Sequence, residues 1–123
     1  MAIERHVIKV STTGSDASAT GSRVVPLPYC EIIAARMDFH ASAPGTTDTT
    51  LSSPGDPVSV TLLTITNSAT DAWYYPSIQL DDNSGSAITG AYVPAIVHGN
   101  LLVELAGSDA LTDTLTLTLF VRV

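Results

Sequence analysis

The C-terminal segment, residues 112–123, alternates between apolar and mostly polar side chains. Its sequence is TDTLTLTLFVRV, and Leu or Val occupies every second position from Leu115 to Val123. A period of two is typical of a β-strand, and Thr, Val and Phe all suit a pleated surface. Because a strand needs partners for its backbone hydrogen bonds, this segment predicts that other parts of the chain form a sheet around it.

Period-two patterns recur along the chain between short turns rich in Gly, Pro, Asp and Asn. This arrangement predicts an all-β fold, a β-sandwich or jelly roll of about eight antiparallel strands. The expected strands are residues 3–10, 29–41, 49–51 (a short edge strand), 58–67, 72–80, 88–97, 101–106 and 112–123. A helix over residues 31–37 is the alternative to part of the second strand. The change of phase at Leu62 and Leu63 indicates either burial on both faces or a bulge.

A chain of 123 residues is long enough for one self-sufficient core. We divide it into an N-terminal strand with a flexible arm, residues 1–22, and a β-sandwich domain, residues 23–123. The arm is expected over residues 11–22, STTGSDASATGS, because they include no apolar residue larger than Ala. The arm lacks the known glycine-rich phosphate-binding patterns, so no nucleotide cofactor is expected there.

The chain is acidic, with a formal charge of −7 and a pI near 4.5. Its five basic residues are scattered along the sequence. Nucleic acids and anionic membranes attract clustered cations, so we expect neither as a partner. Charged residues make up only 14% of the chain, which suits a protein packed against neighbours. The single cysteine, Cys30, is expected to be a small buried side chain, and the absence of a signal-peptide pattern predicts assembly in a reducing cytoplasm.

No residue pattern predicts a catalytic, metal or cofactor site, so we do not expect an enzyme. Asp38 and His40 lie two residues apart on an expected strand and could form an acid–base pair, but no GxSxG nucleophile motif accompanies them. His6, His40 and His98 lack the paired spacing of zinc ligands. Residues 81–85, DDNSG, superficially resemble a calcium loop but lack the required later Glu, so a hairpin turn is expected there.

Trp73, Tyr74 and Tyr75 are the notable aromatic residues. Such side chains form sugar-stacking platforms or anchor protein interfaces. Neighbours on a strand alternate, so Trp73 and Tyr75 are expected on one face and Tyr74 on the other, with at least one side in the core.

Three stretches together resemble small proteins encoded among the structural genes of tailed bacteriophages. They are RMDFHASAPGTTDTT, VTLLTITNSATDAWYYPSIQLDD and ITGAYVPAIVHGNLLVELAGSDALTDTLTLTLFV. The distinguishing marks are TTDTT at residues 46–50, TDAWYYP at residues 70–76, and the HG turn before an LxVxLAxxDALTDTLT ending. The resemblance covers about residues 23–121.

This resemblance implies a virion structural protein, in particular a capsid decoration or cement protein, and carries over no catalytic residue. We expect it to bind the major capsid protein on the capsid exterior, as a homotrimer, after assembly in the host cytoplasm. The N-terminal segment 1–22 is expected to reach a neighbour by adding a strand to its sheet. The alternatives are a receptor- or carbohydrate-binding β-sandwich of a phage fibre and a head–tail or tail-tube component. The candidate capsid or oligomer contacts are Ile3, Arg5, His6, Ile8, Trp73, Tyr74 and Tyr75.

Overall fold

The structure is a computed structural model that describes residues 2–54, 59–97 and 99–123. Over these residues the chain forms β-strands and turns and contains no helix, and every strand pairing is antiparallel. The strands are β1 (Ile3–Val10), β2 (Ala19–Pro26), β3 (Cys30–Phe39), β4 (Asp48–Ser53), β5 (Val60–Ile65), β6 (Ala72–Tyr74), β7 (Ser77–Asp81), β8 (Ala87–Pro94), β9 (Ile96–Val97), β10 (Asn100–Ser108) and β11 (Leu115–Arg122). The all-β prediction is therefore confirmed, and the helix considered for residues 31–37 is excluded by β3.

Two larger sheets and one hairpin organise these strands. Sheet A has the order β1-β11-β3-β6, with β9 paired to the start of β3. Sheet B has the order β2-β10-β4-β5. Among the described residues, strands β7 and β8 pair only with each other, and they form the β7–β8 hairpin, residues 77–94.

Strand β11 lies inside sheet A, between β1 and β3, because every second side chain of it is apolar. Leu115, Leu117, Leu119 and Val121 are fully buried, whereas the alternate positions are only partly covered. The predicted phase of this strand is confirmed, although it ends at Arg122 and leaves Val123 exposed. Burial of each such side chain stabilises the fold by about 1.5–3 kcal/mol.

Both sheets contribute to one hydrophobic core cluster in the part of the chain that the structure describes. Sheet B supplies Leu51, Leu62, Leu101, Val103 and Leu105 to the apolar cluster that contains the buried side chains of β11. The cluster extends along β1 and β3 through Ile8, Val10, Ile32, Ala35 and Met37. No disulfide is available to the lone cysteine, so this packing must stabilise the fold.

The N-terminal segment is bound to its own chain along most of its length. All eight positions of β1 pair with β11, as predicted for a strand at residues 3–10, and β2 begins at Ala19, inside the expected flexible arm. Hydrogen bonds also fix the connection between β1 and β2. Thr13 and Thr20 form an isolated antiparallel β-bridge, and the Ala17 amide donates a hydrogen bond to Asp109 Oδ1 over 2.9 Å. The flexible-arm prediction was wrong for residues 19–22, because backbone pairing with β10 compensates for the missing apolar side chains.

The expected short edge strand at residues 49–51 is instead β4, which lies inside sheet B between β10 and β5. Its buried positions include Thr49 and Ser53. Because these side chains are polar, the sequence pattern does not indicate that the strand is buried. The Ser53 hydroxyl donates to the Asn100 carbonyl over 3.2 Å. A buried hydroxyl of this kind is stabilised by its partner. Thr49 Oγ1, in contrast, is buried without a hydrogen-bond partner among the described residues.

Prolines divide two of the predicted strands. Pro76 separates β6 from β7, and the chain leaves β8 at Pro94 before it forms β9. With β2 added, the described residues contain eleven strands rather than about eight. The bulge considered near Leu62 and Leu63 is present, since Leu51 pairs with Leu63 while the next residue of β4, Ser52, pairs with Thr61. Val58, at the start of that predicted strand, lies outside the described residues.

Candidate functional site

The structure does not join Asp38 and His40 into an acid–base pair. Asp38 Oδ1 accepts a hydrogen bond from Arg36 Nε at 3.0 Å, and His40 Nδ1 accepts one from the Ser42 amide at 3.0 Å. Each side chain is therefore engaged with a local partner. Arg36 was not predicted as the partner of Asp38, although the spacing of two residues places both on the same face of a strand.

The other polar candidates also have structural partners. His6 Nε2 lies 3.2 Å from Glu4 Oε1 at the surface of β1. In the turn at residues 81–85, Asp82 Oδ1 accepts hydrogen bonds from the Ser84 and Ser86 amides over 2.8 and 3.0 Å, which is the geometry of a hairpin turn. Within the described residues, no three His, Cys, Asp or Glu side chains are grouped to hold a metal ion. His98 lies outside those residues.

Cys30 is buried at the start of β3, as expected for a small apolar side chain. Burial raises the pKa of the Cys30 thiol above its ordinary value of 9.0, and the nearby Glu4 carboxylate raises it further. Since the thiolate is the reactive form, this environment makes Cys30 a poor nucleophile.

One concave surface of about 340 Å³ lies on sheet B, where β2, β10 and the start of β4 meet. Two carboxylates, Asp48 and Glu104, face it, and Asp48 Oδ1 accepts a hydrogen bond from the Asn67 amide at 2.8 Å. Its lining residues are Thr20, Gly21, Ser22, Asp48, Thr50, Glu104, Leu105 and Ala106. The lining contains no aromatic ring for a sugar to stack on.

The β7–β8 hairpin is exposed along most of its length, at every position of β7 and at six of the eight positions of β8. Ile78, Leu80 and Ile88 are 40%, 41% and 42% exposed. Opposed residues of an antiparallel pair share a face, so the register of Ile78 with Val93 and of Asp81 with Ala87 puts Ile78, Leu80, Ile88 and Val93 on one side. An isolated hairpin is marginally stable in water, and exposed apolar faces are a common feature of interaction surfaces, so this face is a candidate for one.

A second surface with apolar and aromatic groups is the outer face of sheet A. Ile3 and Val7 of β1 are 63% and 51% exposed, and Trp73 of β6 is 48% exposed. The ring of Trp73 lies 6.1 Å from that of Phe120, and the Arg36 guanidinium lies 5.8 Å from the Trp73 centroid. A cation above an indole ring stabilises the ring orientation, so Trp73 is held against the sheet.

The seven predicted contact residues fall into three groups. Ile3, Arg5, Trp73 and Tyr75 are exposed, and His6 is partly covered. Tyr74 packs against the core from the opposite side of β6, as the alternation predicted. Ile8 is buried at 2% exposure, so its prediction as a contact was wrong, because it lies on the side of β1 that faces the core.

The hairpin was not predicted as a separate element. Its signal was present in the two apolar alternations on either side of residues 81–86, which form the tight turn. The missing information was that neither strand has a third partner. That absence becomes visible only in the sheet order of the described residues.

Comparison with models of protein families, with curated proteins and with solved structures found no match to this chain. Over the described residues, no helix has the length and apolar character needed to cross a bilayer. The function of the protein is therefore inferred from its sequence and from the surfaces described above.

Proposed function

We propose that this protein is a structural component of a tailed-bacteriophage virion, a decoration or cement protein that binds the capsid exterior and bridges major capsid protein subunits. It has no enzymatic role in this proposal. In this proposal the fold is a β-sandwich or jelly roll, and the protein acts as a homotrimer and assembles in the host cytoplasm. The sequence resemblance to phage structural proteins supports this function, and the β7–β8 hairpin is the structural observation that carries it.

The hairpin supports an assembly role because the described residues cover its apolar face only in part. Ile78, Leu80 and Ile88 each expose about two-fifths of their surface, although buried side chains of this size each contribute about 1.5–3 kcal/mol. A protein with no neighbour gains nothing from such a projection and risks aggregation. A cement protein uses it, since many modest contacts repeated over a shell resist internal pressure through avidity.

The charge of the protein agrees with a place outside the packaged DNA. The net charge of −7 is of the same sign as the charge of nucleic acid. The packaged DNA therefore repels the protein, which agrees with a position on the outside of the capsid. The low charge density also suits large contacts, because few ions must be desolvated when surfaces meet.

A receptor- or carbohydrate-binding role in a phage fibre is the second candidate, and exposed aromatic rings favour it. Tyr75 is 68% exposed beside Trp73. Sugar rings stack on such side chains. Trp73 already packs near Phe120 and under Arg36, which leaves less of its ring free for a ligand.

The test uses virions assembled without this protein, to which the purified protein is added back. We expect the wild-type protein to load onto these particles and to raise their resistance to heat and chelators. The double variant Ile78→Ser, Leu80→Ser should load poorly, whereas Val24→Ser, which changes an exposed apolar residue of β2, should load normally. Failure of the wild-type protein to load or to stabilise particles would contradict the cement role. Binding to host-cell glycans that depends on Tyr75 would favour the second candidate.

A further inference from the structure

The basic residues, scattered in the sequence, are segregated in the fold. Arg5 and Lys9 alternate with the buried Ile8 and Val10 on β1, so they point away from the core. The register places Arg5 opposite Phe120, Lys9 opposite Thr116 and, on β3, Arg36 opposite Thr118. Arg122 lies on the same side of β11. The outer face of sheet A thus holds four of the five basic residues, and we call it the cationic face: Arg5, Lys9, Arg36 and Arg122.

The carboxylates of the chain lie mostly elsewhere. Glu31 and Asp38 share the cationic face, where they pair with Arg122 at 3.3 Å and Arg36 at 3.0 Å. Four positive and two negative charges give the face +2, and the total of −7 leaves −9 for the rest of the chain. Asp113 at the margin approaches Lys9 only to 4.0 Å. Arg5 forms no ion pair within the described residues, so it is the most available cation.

The β7–β8 hairpin has the complementary composition. Asp81 and Asp82 lie at its turn, and residues 77–94 include no basic side chain. Asp81 lies on the other side of the hairpin from Ile78, Leu80 and Ile88, together with Tyr92, which is 58% exposed. On the outer side of β1, the cation Arg5 lies between two apolar side chains, Ile3 and Val7.

The two surfaces lie at opposite edges of sheet A. The chain leaves sheet A at the end of the edge strand β6 and forms the hairpin. It then re-enters the sheet as β9, which pairs with β3. Strand β1 is the other edge, and β11 and β3 lie between them. A donor element and an acceptor surface at opposite edges produce a head-to-tail contact, which closes into a ring or continues as a filament.

We propose that the β7–β8 hairpin of one copy docks on the β1 side of the cationic face of a second copy, with Asp81 of the hairpin against Arg5. The inference deepens the proposed function by naming the hairpin's partner, and it rests on that function for the claim that the hairpin docks at all. Charge selects the partner surface. A hairpin tip with two carboxylates is repelled by the −9 remainder of another copy and attracted by its +2 face.

The test is a charge swap between two single variants of the full chain, Asp81→Lys and Arg5→Glu, with mass measured by analytical ultracentrifugation. Neither wild-type side chain has a hydrogen-bond or ion-pair partner within the described residues, so both variants should fold. Wild-type protein should associate at micromolar concentration, and more weakly at high salt. Each variant alone places two like charges at the proposed contact, Lys against Arg5 or Glu against Asp81. The dissociation constant for self-association should therefore rise on the order of tenfold or more.

An equimolar mixture of the two variants should restore association between unlike variants, although in a closed ring of three one of the three contacts would still join like charges. The lysine introduced at position 81 of one variant then meets the glutamate introduced at position 5 of the other, and the reverse contact is the wild-type pair of Asp81 with Arg5. The exposed loop variant Asp16→Lys makes a matched change of charge and should associate like the wild type. Circular dichroism of each variant checks that the fold is intact.

Three results would overturn the inference: a monomeric wild-type chain, unchanged association of both variants, or a mixture no stronger than its components. Loading onto particles separates this inference from the function on which it rests. A monomer that loads and stabilises particles would refute the self-docking contact alone. An oligomer with the expected charge dependence that does not load would refute the capsid role alone.

Discussion

Ile8 lies directly opposite Leu117 in the ladder between β1 and β11, and both side chains are buried, at 2% and 0% exposure. Through this pair, β1 and β11 both contribute side chains to the hydrophobic core. The N-terminal strand is consequently part of the folded domain rather than an arm that is free to leave it.

Leu117→Ala should lower the free energy of unfolding by about 2–5 kcal/mol, because it leaves a cavity between Ile8 and Met37. Thr116→Ala, one position along on the partly exposed face, should cost less than about 1 kcal/mol. Urea unfolding of both variants measures the difference. Similar losses at the two sites would show that β11 is buried on both faces.

Removal of residues 1–10 should prevent stable folding. It strips β11 of a neighbour and takes Ile8 and Val10 out of the core, a loss comparable with a typical total stability of about 5–15 kcal/mol. The truncated chain should lose dispersed amide resonances in NMR spectra and bind a dye for exposed apolar surface. Removal of residues 1 and 2 alone keeps all eight paired positions and should leave the fold intact. A folded, stable chain without β1 would contradict the edge-strand assignment.

Gly21→Ala should destabilise the protein by about 1–3 kcal/mol, since the added Cβ would overlap the Ser11 carbonyl oxygen. The neighbouring group is backbone and cannot rotate away. Gly45→Ala is the matched control, because a Cβ there meets open space, and it should be neutral or slightly stabilising. Thermal unfolding of the two variants compares them, and equal midpoints would show that β2 has room to move away from Ser11.

The thiol of Cys30 should react slowly with a disulfide reagent in the folded protein and rapidly in urea, because it is buried. Its raised pKa also makes stability depend on pH. Above the ordinary thiol value of 9.0 the unfolded chain loses the proton while the folded chain keeps it. The Cys30 contribution is therefore complete below that value and declines as pH rises through the folded pKa.

Cys30→Ala isolates this effect from the other groups that titrate at alkaline pH. The stability of the wild type should fall more steeply above pH 9.0 than that of the variant. Parallel curves for the two proteins, measured by urea unfolding across the alkaline range, would show that the thiol is solvated.

The sequence by itself determined the fold class and the phase of the strongest strands. Leu115, Leu117 and Leu119 fall on one side of β11 for a local reason, since side chains alternate along any strand. The bulge at Leu62 and Leu63 was visible for the same reason, as a break in the alternation. The split of Tyr74 from Trp73 and Tyr75 also needed no partner strand, because adjacent positions point to opposite sides.

Only the tertiary structure decided which elements are neighbours. The pairing of β1 with β11 buried Ile8, and the placement of β4 between β10 and β5 buried Thr49 despite its hydroxyl. The cationic face exists because β1, β11 and β3 come together in one register, whereas their basic residues are far apart in the chain. Hydrophobic alternation records which side of a strand is covered, but strand order and register depend on contacts between distant segments. Those contacts placed the acidic hairpin and the β1 side of the cationic face at opposite edges of one sheet.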